Sequence, residues 1–470
     1  MKYHLQNTGL SKFKTKYKMG NKVRYHKYII GLLLVKFLYV YLNILMLPDD
    51  WISFNFDRDI HLENVLIEIV PLAMAIGVYL KYLRPGHPLS FVATVFFCMY
   101  LIPANSSMSL SNYDFLYFAS INFFNILFVY FLGRIANSNE IANIEFLYDS
   151  QTEFTNQRLN KTLRYLSIFT CLGVIAYVYF LRGTISLEGI FNDDIYDRRA
   201  VVADLYLQNT DGAIAYLMTI WGAFYASMLL IGLYLALKNR YIFDIVLFVF
   251  TYLVLFSFLT EKSILFKPII ALFVYLLFRI QKLRKAEYLF LVSYVGICVV
   301  SLLEYYIGKE SVVYSVVLRR MTYMPQYLSH AYYEYFSMHD KMWLTRDFFQ
   351  LEKIVRLVIP SSYQHGAVTI ISENCFPGVP SPNTGLFAEA FAQLGYLSIF
   401  VFPWLFAYVF KVYYKASLLF GKGAPHVLLC GFFLSLINIQ MLAPRGILVI
   451  LIFLLICYWV KKRTNINTAK

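Results

Sequence analysis

The sequence has little charge for its length. Only 15% of its 470 residues are charged, whereas 59% are hydrophobic. Soluble globular chains carry roughly 25% charged residues, because their surfaces face water. This shortage excludes a water-soluble enzyme or nucleic-acid-binding domain, since the apolar side chains exceed what a soluble core of this size can bury. The missing solvent is predicted to be a lipid bilayer.

Cysteine is also scarce. All cysteines but Cys375 fall in predicted membrane spans, and Cys375 lies in a predicted external loop. The cysteines in spans are Cys98, Cys171, Cys298, Cys430 and Cys457. A single external cysteine excludes an intrachain disulfide outside the membrane. The sequence also has no CxxC pair and no group of His, Cys, Asp and Glu at metal-ligand spacing, so we expect neither a metal nor another cofactor.

A cleavable signal peptide is a third absence. Residues 1–27 are polar and basic. The apolar run that follows is long enough to cross a bilayer, which the shorter core of a signal peptide is not. We expect this run to remain as a signal anchor behind a cytoplasmic basic arm.

Long apolar runs recur along the whole chain. A helix needs about 20 apolar residues to cross roughly 30 Å of hydrocarbon, and a helix satisfies its own backbone polar groups there. The sequence therefore predicts an all-α polytopic membrane protein with about twelve transmembrane helices. The predicted spans are 28–47, 63–82, 90–110, 113–133, 165–181, 213–237, 242–259, 263–278, 288–306, 396–414, 426–442 and 447–460.

Two long loops divide these spans into groups. The predicted order is a basic arm at 1–27, five spans in 28–181, an external loop at 182–212, four spans in 213–306, a large external loop at 307–395, three spans in 396–460 and a tail at 461–470. Long loops in a compact bundle usually carry function. We therefore expect the functional residues in these two loops and beside them.

The chain has 42 lysine and arginine residues and 28 acidic ones. The positions of the lysines and arginines predict the orientation of the bundle in the membrane. Short cytoplasmic loops collect positive charge, whereas acidic residues contribute little. The clusters at 12–27, 279–285 and 461–463 place both termini in the cytoplasm. Because the cations flank spans and do not gather on one face, we interpret them as topology signals and contacts with anionic lipids, not as a nucleic-acid surface.

Both long loops contain adjacent arginines, Arg198–Arg199 and Arg319–Arg320. Apolar residues at helical spacing surround each pair, which predicts interfacial helices over the mouth of the bundle. A guanidinium fork binds phosphate oxygens bidentately and keeps its charge. Arg198, Arg199, Arg319 and Arg320 are therefore candidate ligands of a lipid diphosphate. The alternative is contact with lipid headgroups or with a neighbour such as Asp197.

Charged residues also lie at the edges of predicted spans and inside them. Lys262 lies at the external membrane edge and Lys267 lies deeper along the same helix. An intramembrane cation usually faces a polar cavity or a partner, so both are functional candidates, with pairing to Glu261 as the alternative. Lys36 and Glu68, in the first two spans, are predicted to form a structural ion pair.

The large loop ends in a helical pattern. Glycines and prolines interrupt the chain until Asn383–Thr384, an N-cap-like start to the segment LFAEAFAQLGYL. This segment directs Asn383, Glu389 and Gln393 towards the mouth of the bundle. Glu389 and His365 are the two candidate general bases, and an ordinary surface position is the alternative for His365.

In the pattern of these residues, the chain resembles the Wzy-type polymerases of oligosaccharide repeat units, the family that elongates O-antigen and capsular polysaccharides. The resemblance rests on the many-spanning layout with two long external loops, the turn TEKS that opens a helix at Lys262, the RRMTYMP…YYEYF run, and NTGLFAEAFAQLGYLSI before a late span. It covers roughly residues 163–444.

The resemblance implies a metal-independent glycosyltransferase of the bacterial cytoplasmic membrane, acting at the external face on units linked to undecaprenyl diphosphate. A hydroxyl of the incoming unit attacks the anomeric carbon of the growing chain, and the lipid diphosphate departs. The arginines and Lys262 would hold the diphosphate, and His365 or Glu389 would take the proton. Sugars would contact Tyr323, Tyr327, Tyr333 and Asn383.

The implied partners are the lipid-linked oligosaccharide, membrane lipids, and a chain-length regulator and a flippase of the same pathway. Two other functions stay open. A related ligase, which transfers glycan to lipid A or protein, shares the donor and differs in the acceptor. A flippase or transporter of lipid-linked saccharides lies outside the enzymes, and the halves of the sequence show no internal repeat that would favour it.

Overall fold

The structure is a computed structural model in which the chain is helical throughout its described part. The structure describes residues 22–46, 62–83, 86–111, 113–138, 141, 157–181, 212–259, 262–280, 285–344, 355–359, 363, 365–376, 385–421, 423–429, 431 and 444–468. Every regular element within these ranges is a helix, and none of them contains a strand. The prediction of an all-α membrane protein is confirmed.

The helices are α1 (Lys22–Met46), α2 (Leu62–Tyr82), α3 (Pro88–Phe96), α4 (Phe115–Ala136), α5 (Gln157–Ala176), α6 (Gly212–Asn239), α7 (Ile242–Leu259), α8 (Lys262–Arg279), α9 (Ala286–Gly308), α10 (Met324–Met338), α11 (Ala367–Cys375), α12 (Leu386–Leu394), α13 (Ser398–Ser417) and α14 (Pro444–Thr468). Among the described residues, 8 helices are long and apolar enough to cross a membrane. They are α1, α2, α3 with its continuation, α4, α5, α6, α9, and α12 joined to α13. The larger number of spans stays a prediction, and most of the predicted span 426–442 lies outside the described residues.

The segment Pro88–Asn105 lies at the centre of the bundle and is wholly buried. Its sequence has no charged residue, and a helix that is apolar on all sides packs within protein. After α3 the backbone widens into a π-helical turn at Phe97–Leu101, where the N–H of Ile102 donates to the Phe97 carbonyl. Pro103 lies in the next turn and lacks an N–H, which accounts for this break in the ordinary hydrogen-bond ladder.

Around this centre the other helices pack in pairs. α4 contacts α2 and α13, α1 contacts α9, and α6 contacts both α5 and α14. Large apolar side chains also point outwards, among them Phe37, Phe243 and Phe400, which are 64%, 75% and 60% exposed. Such an outer surface suits lipid, because hydrocarbon does not penalise exposed apolar side chains.

The helix ends group into two sets, as the predicted alternation of spans requires. At one end the backbone N–H of Gly86 donates to Glu287 Oε1 at 2.8 Å, and His426 Nε2 lies 3.2 Å from the Gly86 carbonyl oxygen. At the other end the hydroxyls of Tyr41 and Tyr306 are 2.6 Å apart. The first set joins segments predicted to share the cytoplasmic side, and the second joins segments predicted to share the external side. We call the second, which also carries α10, the loop end.

α12 confirms the predicted helical pattern but enters the bundle instead of lying over it. Every residue from Leu386 to Gln393 is buried. The ring centroids of Phe387 and Phe124 are 5.5 Å apart, and those of Phe391 and Tyr333 are 4.9 Å apart. α12 therefore runs from the interior, beside α4, outwards to the loop end, beside α10.

Two glycines set the limits of α12. At Gly385, the N-cap, φ is +131°, and a Cβ atom there would lie 2.5 Å from Tyr100 Cε1. Only glycine combines this backbone conformation with this close approach. The helix thus begins at Leu386, directly after Gly385, and the predicted N-cap at Asn383–Thr384 lies outside the described residues. At its other end Gly395, with φ +56°, turns the chain back into α13.

Candidate functional site

The candidate site is formed by α10 and α12, which lie side by side at the loop end. Gln326 Nε2, in the first turn of α10, donates to the Tyr100 carbonyl at 3.3 Å. Gly385, which caps α12, approaches the ring of the same tyrosine. Both helices therefore begin at one depth inside the bundle and run outwards together. The prediction for α10 was an interfacial helix, whereas much of α10 is buried among other helices.

A π-helix, Tyr314–Tyr323, leads into α10 and carries the second arginine doublet. Ser311 Oγ and the Val313 N–H both donate to Glu304 Oε2, at 2.7 and 3.0 Å, which secures the start of this element. The Tyr314 hydroxyl donates to Asn43 Oδ1 of α1 at 2.8 Å. These contacts fix the π-helix against α1 and α9, and π-helical turns frequently mark functional positions.

Arg319 lies in the middle of the π-helix and is half-buried. Burial raises the pKa of the neighbouring Tyr314 hydroxyl, and the positive charge of Arg319 opposes that rise. The backbone of Arg320 belongs to the same π-helix, and its side chain lies outside the description. Arg319 is thus a positive charge held partly out of solvent at the loop end, where a charge-assisted hydrogen bond to an anion is stronger than in water.

The tyrosines predicted to contact sugars differ in their exposure. Tyr323 and Tyr333 are 1% and 5% exposed, and their rings face protein. Tyr327 is half-buried, with its ring centroid 5.2 Å from that of Phe376 in an edge-to-face arrangement. Of the three, Tyr327 has the more open ring in this conformation.

His330 of α10 is a site residue that the sequence did not single out. Its ring stacks on Tyr113 with the centroids 3.7 Å apart and meets Tyr117 edge to face at 4.9 Å. Burial lowers the pKa of His330 to about 4, although the carboxylate of Asp114 opposes the shift. The imidazole is therefore neutral at pH 7, and its protonated form is disfavoured. Its Nδ1 lies 3.9 Å from Glu334 Oε2, too far for a hydrogen bond.

Acidic and phenolic groups form the rim beside His330. The Tyr333 hydroxyl lies 2.8 Å from the Tyr396 hydroxyl and 3.4 Å from Asp114 Oδ2. Asp114 and Glu334 are exposed. Burial raises the pKa of the Tyr333 phenol, and the bond to Tyr396 and the charge of Asp114 add to that rise. The phenol thus stays protonated, and its O–H is donated to Asp114 within the rim.

The two predicted bases lie in different surroundings. Glu389, on the first turn of α12, is 2% exposed, whereas His365 is exposed in the turn before α11. Gln393, on the same helix as Glu389, is 1% exposed and fixes the chain after α10. Its Oε1 accepts from the Leu344 N–H at 3.0 Å, and its carbonyl accepts from the Trp343 N–H at 2.9 Å. Glu389 is thus buried on a helix that packs against α10, and His365 lies at the surface.

Several predicted site residues lie beyond the description. Arg198, Arg199 and Asn383 are outside the described residues. Lys262 begins α8, as predicted, and nothing is described of its side chain. Lys267 is half-buried one turn further along α8.

A second polar group, which we call the paired cluster, consists of Lys36, Glu68, Asn105 and Ser109. Lys36 Nζ lies 2.6 Å from Glu68 Oε2 and 2.6 Å from Asn105 Oδ1. The Ser109 N–H donates to Glu68 Oε1 at 2.7 Å, and Asn105 Nδ2 donates to the Glu68 carbonyl at 2.8 Å. The predicted contact between Lys36 and Glu68 is confirmed. The bonds of Asn105 and Ser109 to Glu68 also stabilise the chain reversal between Pro88–Asn105 and α4.

Comparison with protein-family models, with curated proteins and with solved structures finds no match to this chain. Its function is therefore argued from the residues of the site.

Proposed function

We propose that this protein polymerises oligosaccharide repeat units linked to undecaprenyl diphosphate, for an O-antigen, capsular or related polysaccharide. The observation that carries the proposal is that Arg319 is half-buried on the π-helix that leads into α10, while α10 carries His330 and packs against α12 with its buried Glu389. An anion-binding group and proton acceptors at one end of a membrane bundle suit a substrate with a lipid tail, a diphosphate and sugar hydroxyls.

The proposed reaction is a glycosyl transfer. A hydroxyl oxygen of the incoming unit forms a bond to the anomeric carbon of the growing chain, while the bond from that carbon to the lipid diphosphate breaks. The hydroxyl proton passes to a base, and the electron pair leaves with the diphosphate. Arg319, Arg320 and Lys262, with Arg198 and Arg199 of the other loop, are proposed to stabilise the negative charge that develops on the leaving group.

The proton acceptor is proposed to be Glu389 or His365, and His330 is a further candidate. Glu389 is 2% exposed, so hydrogen bonds that its carboxyl group makes are shielded from water, which strengthens them. His330 is unprotonated near pH 7, as a base must be, and its lowered pKa makes it a weaker proton acceptor than an exposed histidine. The exposed position of His365 gives it less support.

The proposed location is the bacterial cytoplasmic membrane, with both termini in the cytoplasm and the loop end outside. The grouping of helix ends supports two faces, and the distribution of lysine and arginine supports their assignment. Reporter fusions after Gly183 and after Lys341 should report an external position, and fusions after Arg240 and Lys285 a cytoplasmic one. A cytoplasmic signal at Lys341 contradicts the proposed function, because the site would face the wrong compartment.

The arginine doublet provides the principal test of function. Arg319→Lys and Arg320→Lys are each expected to abolish polymer, while protein level and the supply of single repeat units stay normal. Lysine preserves the charge but loses the bidentate fork. Arg134→Lys, an exposed position at the opposite end, is the matched control. Normal polymer length and amount from both lysine variants would leave lipid anchoring as the role of these arginines.

Purified full-length protein separates the enzyme from the alternatives. Given lipid-linked repeat unit alone, it should lengthen the glycan with EDTA present. Transfer only after lipid A or protein is added would identify a ligase. Movement of the lipid-linked saccharide across vesicle membranes without any new glycosidic bond would identify a flippase. Dependence on an added divalent metal would contradict the metal-independent reaction.

A further inference from the structure

A small cavity lies where α10 and α12 begin. It lies between the π-helical turn of the central segment, α4, α10 and α12, and its volume of about 10 Å³ for the centre of a water molecule is room for roughly one water-sized group. Its polar lining comes from Asn125, Gln326 and Ser329, and the remaining lining residues are Phe96, Tyr100, Ile121, Gly385, Leu386 and Phe387. Its position inside the bundle separates it from the rim formed by Asp114, Glu334 and Tyr396.

Two amide side chains in this lining have unsatisfied atoms. Asn125 and Gln326 are 3% and 2% exposed. Asn125 Nδ2 and Gln326 Oε1 have no hydrogen-bond partner in the part of the chain that the structure describes. The other amide atom of Gln326, Nε2, donates to the Tyr100 carbonyl at 3.3 Å, which fixes the side chain so that Oε1 is the remaining acceptor.

Leaving such atoms unsatisfied is costly. A buried donor or acceptor without a partner has lost its hydrogen bonds to water and gained none in exchange, and two of them line the same cavity. Asn122, one turn before Asn125 on α4, shows the contrast. It is equally buried, and its Nδ2 donates to the Phe118 carbonyl at 2.9 Å. The amides at the cavity therefore differ from an ordinary polar side chain inside the same helix.

The two unsatisfied atoms have opposite character. Asn125 Nδ2 is a donor and Gln326 Oε1 is an acceptor. A single hydroxyl completes both, because its oxygen accepts from Asn125 while its hydrogen is donated to Gln326. The first turn of α12 also lines the cavity, and the N–H groups of a first turn have no acceptor within their own helix. An anion at this position is disfavoured by the carbonyl oxygen of Gln326.

We propose that this cavity binds a hydroxyl group between Asn125 Nδ2 and Gln326 Oε1. The hydroxyl belongs either to a buried water or to a sugar of the lipid-linked saccharide. The saccharide source rests on the proposed function, whereas the water source does not. In both cases the cavity is a polar binding position at the base of α10 and α12.

The direct test is a high-resolution cryo-electron microscopy map of the full-length protein in lipid nanodiscs. One sample carries no substrate, and the other carries lipid-linked saccharides extracted from the cells that produce the protein. We expect density within hydrogen-bond distance of both Asn125 Nδ2 and Gln326 Oε1. Density in both samples identifies water, and density only with the saccharide identifies a sugar hydroxyl. Direct bonding of the two amides to each other, or to other protein groups, overturns the proposal.

A double-mutant cycle provides an independent test. Asn125→Leu and Gln326→Met remove the polar atoms with little change in volume. If one hydroxyl bridges the two amides, either variant alone lowers the unfolding temperature, and the double variant lowers it by less than the sum of both. Additive effects, or a higher unfolding temperature in either single variant, overturn the bridge. Asn122→Leu combined with Gln326→Met should be additive and is the matched control.

Failure of the cavity proposal can be distinguished from failure of the proposed polymerase function. Failure of the bridge with intact polymer formation removes the cavity proposal alone. A bridge in the substrate-free protein together with failed polymerisation leaves the hydroxyl position as a bound water and removes the polymerase.

Discussion

The paired cluster and the loop-end site occupy the same half of the bundle but differ in how their polar groups are satisfied. In the paired cluster, Lys36 Nζ has two oxygen partners at 2.6 Å, and both carboxylate oxygens of Glu68 are bonded. At the loop end, the imidazole of His330 meets aromatic rings and a carboxylate oxygen 3.9 Å away. A charge whose partners all belong to the protein stabilises the fold, whereas a group that keeps hydrogen-bonding capacity is available to a ligand.

The largest expected effect breaks the paired cluster. Lys36→Met leaves the buried Glu68 carboxylate without its cation and should lower the free energy of unfolding by about 3–5 kcal/mol. Thermal unfolding of the purified protein in detergent measures the loss. Lys161→Met, at an exposed position on α5, should have little effect. The double variant Lys36→Met/Glu68→Met should recover much of the stability, and a double variant as unstable as the single one contradicts the pairing.

A second effect of similar size concerns rate and not stability. If Glu389 is the base, Glu389→Gln should slow glycosyl transfer by about 10² to 10⁴-fold with the substrate still bound. His365→Ala tests the other predicted base in the same way. Single-turnover rates and substrate binding, measured separately, check both variants. Glu373→Gln, exposed on α11, is the control.

The same rate measurements can also contradict base catalysis by Glu389 or His365. Near-native rates in both base variants would exclude catalysis by either side chain. His330 or the arginines would then have to supply the rate enhancement.

A smaller effect concerns pH and His330. The pKa of His330 is lowered to about 4 in the folded protein, against about 6.5 in an unfolded chain. Folding therefore disfavours the protonated form, so His330 contributes stability above about pH 6.5, and this contribution, at most about 3 kcal/mol, is lost as pH falls towards 4. The groups that face the imidazole are Tyr113, Tyr117, Asp114 and Glu334.

Unfolding temperatures measured from pH 7 to pH 4 check this expectation. His330→Phe preserves the aromatic stack and should flatten the profile in that window. An unchanged profile would show that the acid sensitivity does not arise from His330.

The sequence predicted the local features of the fold better than the contacts between them. Helical spacing identified α10 and α12, because apolar residues three and four apart are a local signal. Their insertion into the bundle depends on partners distant in the chain, such as the contact of Tyr333 with Phe391. An amphipathic pattern does not distinguish between the two positions. It is typical of a helix at the membrane interface and also of a helix whose polar face packs against other protein groups.

The site shows the same limit. Arg319 and Glu389 were identified because an arginine doublet and a carboxylate in an apolar helix are visible in the sequence. His330 was not, although it precedes Glu334 by one helical turn in the run YLSHAYYEYF. The stack of its ring on Tyr113 joins segments far apart in the chain, and burial, which lowers its pKa, follows from that packing.

The short length of α12 has a consequence for the order in which the protein assembles. With 9 residues, α12 extends only about 14 Å, roughly half of the hydrocarbon thickness. It also carries Glu389 and Gln393, whose polar groups lipid does not satisfy. α12 is therefore too short and too polar to enter the bilayer as an independent span. Its insertion has to follow that of α4 and α10, so the last step in building the site waits until most of the chain has been synthesised.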